Sequence, residues 1–254
     1  MDPLSSEDKL FVARLSDMAQ QVRRSGTYAF SSFLDERQCA IAQNWCSRNA
    51  GDLLSSFHGG FPDARRKMLA IYPDYCEDYV NEDVPIKCLT FSYRDEDKLT
   101  HRDFLGSFMA LRLKRETIGD IVVSNGRAQA LVTEIAARTI MSTVSKIGRV
   151  GVKVSDDLPF DMEVTQEYKD IPASVASLRL DCIVAAAANI SREKAAGLIR
   201  SDKVDINHFT VSAVSKEVQQ GDIISVRGCG RFILSDIGGL TRKDRVHIIL
   251  RKYI

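Results

Sequence analysis

Hydrophobic residues recur at helical spacing near the start of the chain. Phe11, Leu15, Met18 and Val22 repeat every three or four positions, which predicts a helix over Ser6–Ser25. Asp35 is followed three residues later by Gln38, the spacing of a capping box, so a second helix is expected from there. Residues 53–57 then have a strand-like pattern.

The middle of the chain alternates between strand-like and helix-like patterns in the order β-α-β-β-α-β. Strands are predicted at 86–93, 118–124, 128–133 and 149–154, and helices at 100–114 and 134–146. This order predicts a ferredoxin-like sheet, the split βαβ arrangement that RRM domains share. RRM domains bind RNA through aromatic side chains exposed on the sheet. Here only Phe91 and Tyr93 share a face of the first strand, and we expect them in the core, with a stacking platform for RNA as the alternative.

Two short helical patterns and several strand-like segments follow between residues 178 and 234. Residues 178–190 are apolar or alanine around nearly the whole helix circumference, which indicates a buried helix. Ser191 is a suitable N-cap for a second helix that is expected to run to about Lys203. Strands are predicted at 204–206 and 223–226.

Positively charged side chains lie at the edges of this C-terminal segment. At about 100° per residue, Arg192, Arg200 and Lys203 fall within an arc of about 80° on the second helix. Arg227 and Arg231 frame a loop with two glycines. A guanidinium group donates two parallel hydrogen bonds to phosphate, and glycine lets backbone N–H groups approach it closely. The pattern indicates a site for RNA backbone, with a solvated charged rim as the alternative.

The distribution of charge supports the first interpretation. The 254 residues have a net charge of +1, but residues 172–254 carry 13 Lys and Arg against 8 Asp and Glu. Residues 1–85 carry 9 against 13, so the positive charge is concentrated in the C-terminal third. Arg242, Lys243 and Arg245 extend it towards the C-terminus. By contrast, the basic run at 65–67 is expected to be a solvated loop or helix face, with RNA contact as the alternative.

Other chemistry has little support in the sequence. The six cysteines contain no C-x-x-C pair and the four histidines are dispersed, so no metal, cofactor or catalytic site is expected. No apolar run reaches the length of a membrane span and the N-terminus is acidic and polar, so we expect a cytoplasmic protein. Residues 155–170 are acidic and contain proline, and are predicted to be a linker.

The C-terminal segment closely resembles a known RNA-binding domain. LRLD at 178–181, SREKAAGLI at 191–199, KVDIN at 203–207 and GDIISVRGCGR at 221–231 resemble the ribosomal-protein-S-four-type (αL) domain. In that family the helix pair and the strand loop bind RNA backbone. Cys229 departs from the family, which often has a basic or bulky residue there. The resemblance implies RNA-binding roles for Arg179, Ser191, Arg192, Lys194, Arg200, Lys203, Arg227 and Arg231.

Two further segments extend the resemblance to the whole chain. GFPDARRKMLAIYPDY at 60–75 and LTHRDFLGSFMALRLKRETIGDIVV at 99–123, together with the C-terminal segment, resemble the YlmH family of bacterial proteins. The resemblance implies three α+β modules: an N-terminal domain at 1–82, an RRM-like domain with its linker at 83–170, and the S-four-type domain at 171–254. It also implies a non-enzymatic factor associated with the large ribosomal subunit, near tRNA and rRNA, in the rescue of stalled nascent chains.

Two other functions stay open at this point. LRLD at 178–181 resembles the catalytic motif of pseudouridine synthases, which often carry the same RNA-binding module, although the flanking Gly, Thr and Gly of that motif are missing. An RNA-modifying enzyme anchored by its C-terminal domain is therefore one alternative. The other is a cell-division adaptor that acts through protein partners, because such links have been drawn for some members of the family.

Overall fold

The computed structural model describes residues 5–164, 166–241 and 244–254, which belong to two compact units. One unit spans Ser5–Val164 and the other contains the described residues from 166 to the C-terminus. Arg242 and Lys243, which were expected to extend the positive surface, lie outside the described residues. Among the described residues, no helix combines the length and the apolar character needed to cross a membrane.

The N-terminal part of the first unit packs helices against a three-stranded antiparallel sheet. Its elements are α1 (Ser6–Ser25), β1 (Ala29–Leu34), α2 (Glu36–Asn49), β2 (Leu54–His58), β3 (Lys67–Tyr72) and α3 (Glu77–Glu82), with strand order β1-β3-β2. The predicted capping box is present, because the Asp35 carboxylate accepts from the backbone N–H of Gln38 at 2.8 Å and the Gln38 side chain accepts from that of Asp35 at 3.0 Å. The β1 and β3 strands have no counterpart in the sequence prediction.

Two residues of the basic run at 65–67 contribute to the fold, although the charge of the run suggests a solvated surface. Lys67 begins β3, and the half-buried Arg66 guanidinium donates to the carbonyl oxygens of Phe33 and Ile118, both at 3.0 Å. Of the three residues, only Arg65 is exposed. The prediction of a solvated loop or helix face is therefore wrong for Arg66 and Lys67, because Lys67 belongs to a strand and the Arg66 guanidinium also donates to a third backbone carbonyl, that of Arg115, at 3.4 Å.

The middle segment forms a four-stranded antiparallel sheet. Its elements are β4 (Ile86–Ser92), α4 (His101–Ala110), β5 (Ile118–Ser124), β6 (Arg127–Thr133), α5 (Glu134–Thr143), β7 (Lys146–Ile147), β8 (Val150–Gly151) and β9 (Lys153–Ser155). The order β5-β6-β4-β9 is that of a ferredoxin-like βαββαβ sheet, as the sequence predicts. The last strand begins later than predicted, because β7 and β8 pair with each other as a separate hairpin.

The two faces of this sheet are both covered. Phe91 is fully buried against Phe104 and Phe108 of α4, so its predicted place in the core is confirmed. On the opposite face, the buried Gln129 side chain donates to the Pro159 carbonyl at 2.9 Å and accepts from the Asp161 N–H at 3.0 Å. Residues 159–161 therefore cover the face on which RRM domains bind RNA.

The second unit packs two helices against a six-stranded antiparallel sheet. Its elements are β10 (Tyr168–Val175), α6 (Leu180–Ala188), α7 (Arg192–Arg200), β11 (Val204–Ile206), β12 (Phe209–Thr210), β13 (Ile223–Val226), β14 (Gly230–Leu240) and β15 (Val246–Tyr253), with strand order β10-β15-β14-β13-β11-β12. The core contains fully buried residues from both layers, such as Ile183 and Leu234. The predicted linker at 155–170 is shorter than expected, because Ser155 ends β9 and Tyr168 begins β10.

Candidate nucleic-acid interface

Asp181 holds two of the predicted RNA-binding arginines. Its side chain lies in the first turn of α6 and is 5% exposed. Arg179 Nε donates to Asp181 Oδ1 at 3.1 Å, and Arg192 Nη2 donates to Asp181 Oδ2 at 2.7 Å. About half of each arginine side chain stays exposed, 45% for Arg179 and 57% for Arg192. One buried carboxylate therefore fixes two guanidinium groups that still present donors to solvent.

The pKa of the Asp181 carboxyl favours the ionised form, which pairs with Arg179 and Arg192. Burial raises the pKa of the Asp181 carboxyl, but the hydrogen bonds from Arg192 and Arg179 outweigh burial and hold the pKa below its ordinary value. The same contact raises the pKa of Arg192. The cluster therefore holds two positive charges and one negative charge at neutral pH, and its net charge is positive.

The α7 helix presents its charged residues in different directions. The Ser191 hydroxyl accepts from the Lys194 backbone N–H at 3.3 Å, so Ser191 is the N-cap that the sequence predicts. Arg192 and Arg200 are both exposed and lie about 80° apart around the helix. At about 100° per residue, Lys194 lies roughly 160° around the helix from Arg192. Lys194 thus points away from the surface that the two arginines share.

Three other predicted residues lie around a shallow concavity beside the hairpin that joins β13 to β14. Lys203, Arg227 and Arg231 line it, with an enclosed volume of about 480 Å³. The Arg227 backbone N–H donates to the Lys203 carbonyl at 2.9 Å, which joins the hairpin to the segment after α7. Gly228, at φ +85°, adopts the left-handed conformation that the tight turn requires. Asp202 and Asp205 also line the concavity and moderate its positive charge.

Arg231 is more buried than the other seven members of the predicted set, all of which are exposed residues. It lies at the start of β14, where its guanidinium carbon is 5.3 Å from the centre of the Tyr253 ring and Nη2 is 3.1 Å from Nδ1 of His208. A cation over an aromatic face is held by the ring quadrupole. The ring and the imidazole therefore restrict the direction in which this guanidinium can donate.

The structure thus brings the predicted residues into two subsets. Arg179 and Arg192 meet at Asp181, and Lys203, Arg227 and Arg231 line the concavity. Two details of the prediction are wrong. The helix predicted from residue 178 begins at Leu180, and Arg179 is its N-cap, with an extended backbone (ψ 145°). Lys203 lies beyond the end of α7, so its place in a helical arc with Arg192 does not hold.

Residues outside the predicted set complete the surface. Asp181 lies two positions from Arg179, so its local pairing is visible in the sequence, but its contact with Arg192 depends on how the two helices pack. Tyr253 and His208 are brought to Arg231 by strand pairing in the sheet. No periodic pattern along the chain indicates those two contacts.

Comparisons with known proteins identify the class of domain first. Residues 80–160 match the family model described as "Putative RNA-binding domain in YlmH". The matched segment contains the ferredoxin-like sheet and the segment that covers its outer face.

The comparisons then extend to the whole chain. It is 28% identical over 250 residues to "Ribosome-associated protein quality control protein P2" of Bacillus subtilis (strain 168), covering 97% of this chain and 95% of that protein. "Cell division protein ylmH from Streptococcus pneumoniae" is a solved structure with a similar fold. Its TM-score is 0.51 at 20% identity, covering 62% of this chain and 95% of that one. The predicted relationship to the YlmH family is therefore confirmed.

Proposed function

We propose that this protein is a non-enzymatic, ribosome-associated factor that binds structured RNA through its C-terminal unit. The observation that carries the proposal is the arrangement around Asp181, where a buried carboxylate holds two half-exposed arginines in fixed positions. Fixed guanidinium groups lose little conformational entropy when they bind phosphate. Arg200 on α7 and the concavity with Lys203, Arg227 and Arg231 supply further cations on the same unit.

The relatives support a place on the ribosome. The Bacillus subtilis protein is named for ribosome-associated quality control and is similar along nearly the whole chain. We therefore assign this protein to the large ribosomal subunit, with rRNA and tRNA as its RNA partners. Its role on that subunit is to assist the rescue of stalled nascent chains.

The C-terminal unit is proposed as the main RNA-binding surface because the outer sheet face of the middle segment is covered. Gln129 on that face is fully buried beneath residues 159–161. An RRM-type platform needs exposed aromatic rings on this face. Affinity should therefore come mainly from phosphate contacts and fall steeply with salt.

Neither alternative function has comparable support. A catalytic aspartate in LRLD would need to reach a substrate, whereas both carboxylate oxygens of Asp181 accept hydrogen bonds from arginines. The cell-division adaptor is suggested by the name of the streptococcal protein, whose likeness at 20% identity supports the fold and not the function.

Sedimentation with ribosomal subunits tests the proposal directly. The full chain is expected to co-sediment with the large subunit at low salt and to dissociate as salt is raised. Crosslinks should map to rRNA or tRNA from residues of the C-terminal unit. Sedimentation apart from ribosomes, or association through division proteins that survives nuclease treatment, would contradict it.

A further inference from the structure

The loop after β2 helps to enclose a cavity that the proposed function does not use. The cavity lies within the unit formed by Ser5–Val164 and has a volume of about 540 Å³. Gly59, Gly60 and Phe61 form one wall, and Cys88 and Leu131 on the outer face of the ferredoxin-like sheet form another. These glycines and the phenylalanine begin the GGFPDARRK segment at 59–67. The proposed phosphate contacts give them no role.

The lining of the cavity combines aromatic and aliphatic side chains with polar groups. Phe61 and Phe160 stack with ring centroids 4.4 Å apart and an interplanar angle of 13°. Among the described residues that line the cavity, none is an Asp, Glu, Lys or Arg. His58 and Asn81 supply the polar side chains. Burial lowers the pKa of His58, so its imidazole is neutral at physiological pH, and a contact of 2.7 Å with the Ser56 hydroxyl fixes the ring.

This combination suits one chemical class of occupant. A pocket of a few hundred Å³ that combines aromatic and aliphatic side chains with polar groups can hold a small planar ligand. Unstacked RNA bases bind proteins by stacking on aromatic rings and by hydrogen bonding along their edges. The amide of Asn81 can both donate and accept, as the edge of a base does. The absence of charge among the described lining residues disfavours a phosphate or a charged peptide side chain.

Residues 159–161, which cover the outer face of the ferredoxin-like sheet, explain why the cavity lies beside that sheet. In RRM domains the aromatic platform belongs to the strands, whereas here the strands present Gln129, Thr90 and Leu131 on that face. Residues 159–161 cross it and bring Phe160 onto Phe61. The stacked pair therefore supplies, beside the sheet, the aromatic surface that the sheet lacks.

We propose that the cavity lined by Phe61, Phe160, His58 and Asn81 binds an unstacked base of single-stranded RNA. This inference rests on the proposed function in that the ligand is RNA, but it concerns a second site on the other unit. It assigns base contact to the first unit and phosphate contact to the C-terminal unit.

Two cysteines provide a matched pair for the test. Cys88 lines the cavity and Cys39 does not, and both are half-buried. Burial raises the pKa of each thiol to about 11, so the two should react with iodoacetamide at comparable rates. At an RNA pentamer concentration ten times Kd, the modification rate of Cys88 should fall about tenfold while that of Cys39 is unchanged. Peptide mass spectrometry reads both rates in the full chain.

An abasic pentamer of the same length isolates the contribution of the bases. It carries the same phosphates, so it should leave the Cys88 rate unchanged. Equal protection by the abasic pentamer, equal protection of both cysteines, or no protection of Cys88 would each overturn the inference.

A second matched pair tests the polar contact. Asn81 and Asn49 are both exposed, and each donates its amide to the carbonyl four residues earlier in a helix, at 3.3 Å and 2.9 Å. Only Asn81 lines the cavity. Asn81→Ala should weaken pentamer binding about three- to tenfold, whereas Asn49→Ala should not. Equal affinities of the two variants would count against the site.

The outcome separates this inference from the proposed function. In Arg192→Ala/Arg200→Ala, binding of structured RNA should weaken but protection of Cys88 by the pentamer should persist. If structured RNA binds the C-terminal unit and Cys88 is never protected, the inference fails and the proposed function stands. If Cys88 is protected but the binding of structured RNA is insensitive to those arginines and to salt, the inference about the cavity stands and the proposed function fails.

Discussion

Asp181 illustrates how a negative residue can assist binding to a polyanion. Its carboxylate reduces the net charge of the surface, yet it fixes Arg179 and Arg192. If net positive charge governs RNA affinity, removal of this carboxylate should raise the affinity. If the orientation of the guanidinium donors governs it, removal should lower the affinity.

Replacement of Asp181 with Asn decides between these effects. The change raises the net charge by one while keeping the shape of the side chain. We expect RNA affinity to fall, and the free energy of unfolding to fall by about 1–3 kcal/mol, because charge-assisted hydrogen bonds are lost. Binding at fixed salt and urea unfolding measure the two effects. Glu193→Gln, at an exposed position on α7, makes the same charge change and should not weaken binding. Tighter binding by Asp181→Asn would show that orientation is unimportant.

The pH dependence of stability follows from the same carboxylate. The pKa of Asp181 is below its unfolded value, so its contribution is complete above about pH 4 and is lost as pH falls through the folded pKa. The difference in unfolding free energy between the wild type and Asp181→Asn should therefore narrow below about pH 4. Urea unfolding between pH 7 and pH 3 measures this difference. A constant difference across that range would contradict the assignment.

Arg192 and Arg200 are expected to act as phosphate ligands. Arg192→Ala/Arg200→Ala should weaken binding of structured RNA and reduce the slope of log K against log salt by about 1.4–1.8, the value for two contacts. Arg14→Ala/Arg24→Ala removes the same charge from exposed positions on α1 and serves as the control. Equal slopes in both double variants would indicate a non-specific charge effect, and loss of the thermal transition would indicate a structural role.

The residues that were predictable are those whose partners are close in sequence. Asp35 and Gln38 form their capping box, and Ser191 caps α7, because each contact spans three residues. The contact between Asp181 and Arg192 spans eleven residues and depends on the angle between two helices. It could not be derived from periodicity along either helix.

At the scale of elements, a strand buried on both faces was predicted only where a turn signal adjoins it. After Lys67, the β3 strand is a continuous run, MLAIY, whose five residues are all buried. It lacks the alternation that indicates a half-exposed strand, and the basic residues before it suggested solvent. The β6 strand is also buried at five consecutive positions, but Asn125-Gly126 just before it is a strong hairpin signal, and β5 and β6 match the strands predicted at 118–124 and 128–133 to within one residue.

Arg66 is expected to stabilise this region more than its exposed neighbour. Arg66→Ala removes the side-chain donor to the Phe33 carbonyl and leaves Arg115 as the guanidinium donor to the Ile118 carbonyl, so the free energy of unfolding should fall by about 1–3 kcal/mol. Arg65→Ala retains the backbone hydrogen bond of that residue to Asp120 and should cost less. Urea unfolding of both variants gives the comparison. A larger loss for Arg65→Ala would show that the guanidinium of Arg66 is not a structural donor.

At the scale of the whole molecule, the three proposed modules correspond to two compact units. The proposed boundary near residue 82 falls within the unit Ser5–Val164. There Phe33 and Met68 from the first sheet pack with Leu131 from the second in one buried cluster. Separating the first two modules would expose that cluster. We therefore propose that they are distinct in topology but unfold together.

Three buried leucines test this proposal. Leu69, Leu89 and Leu234 are each fully buried in strands β3, β4 and β14, one in each proposed module. Each Leu→Ala change should cost about 2–5 kcal/mol, because a cavity remains. In calorimetry of the full chain, Leu69→Ala and Leu89→Ala should lower the same transition, since the Phe33–Met68–Leu131 cluster couples their sheets, while Leu234→Ala lowers another. A separate transition for Leu69→Ala would make the N-terminal module independent, and one common transition for all three would contradict two units.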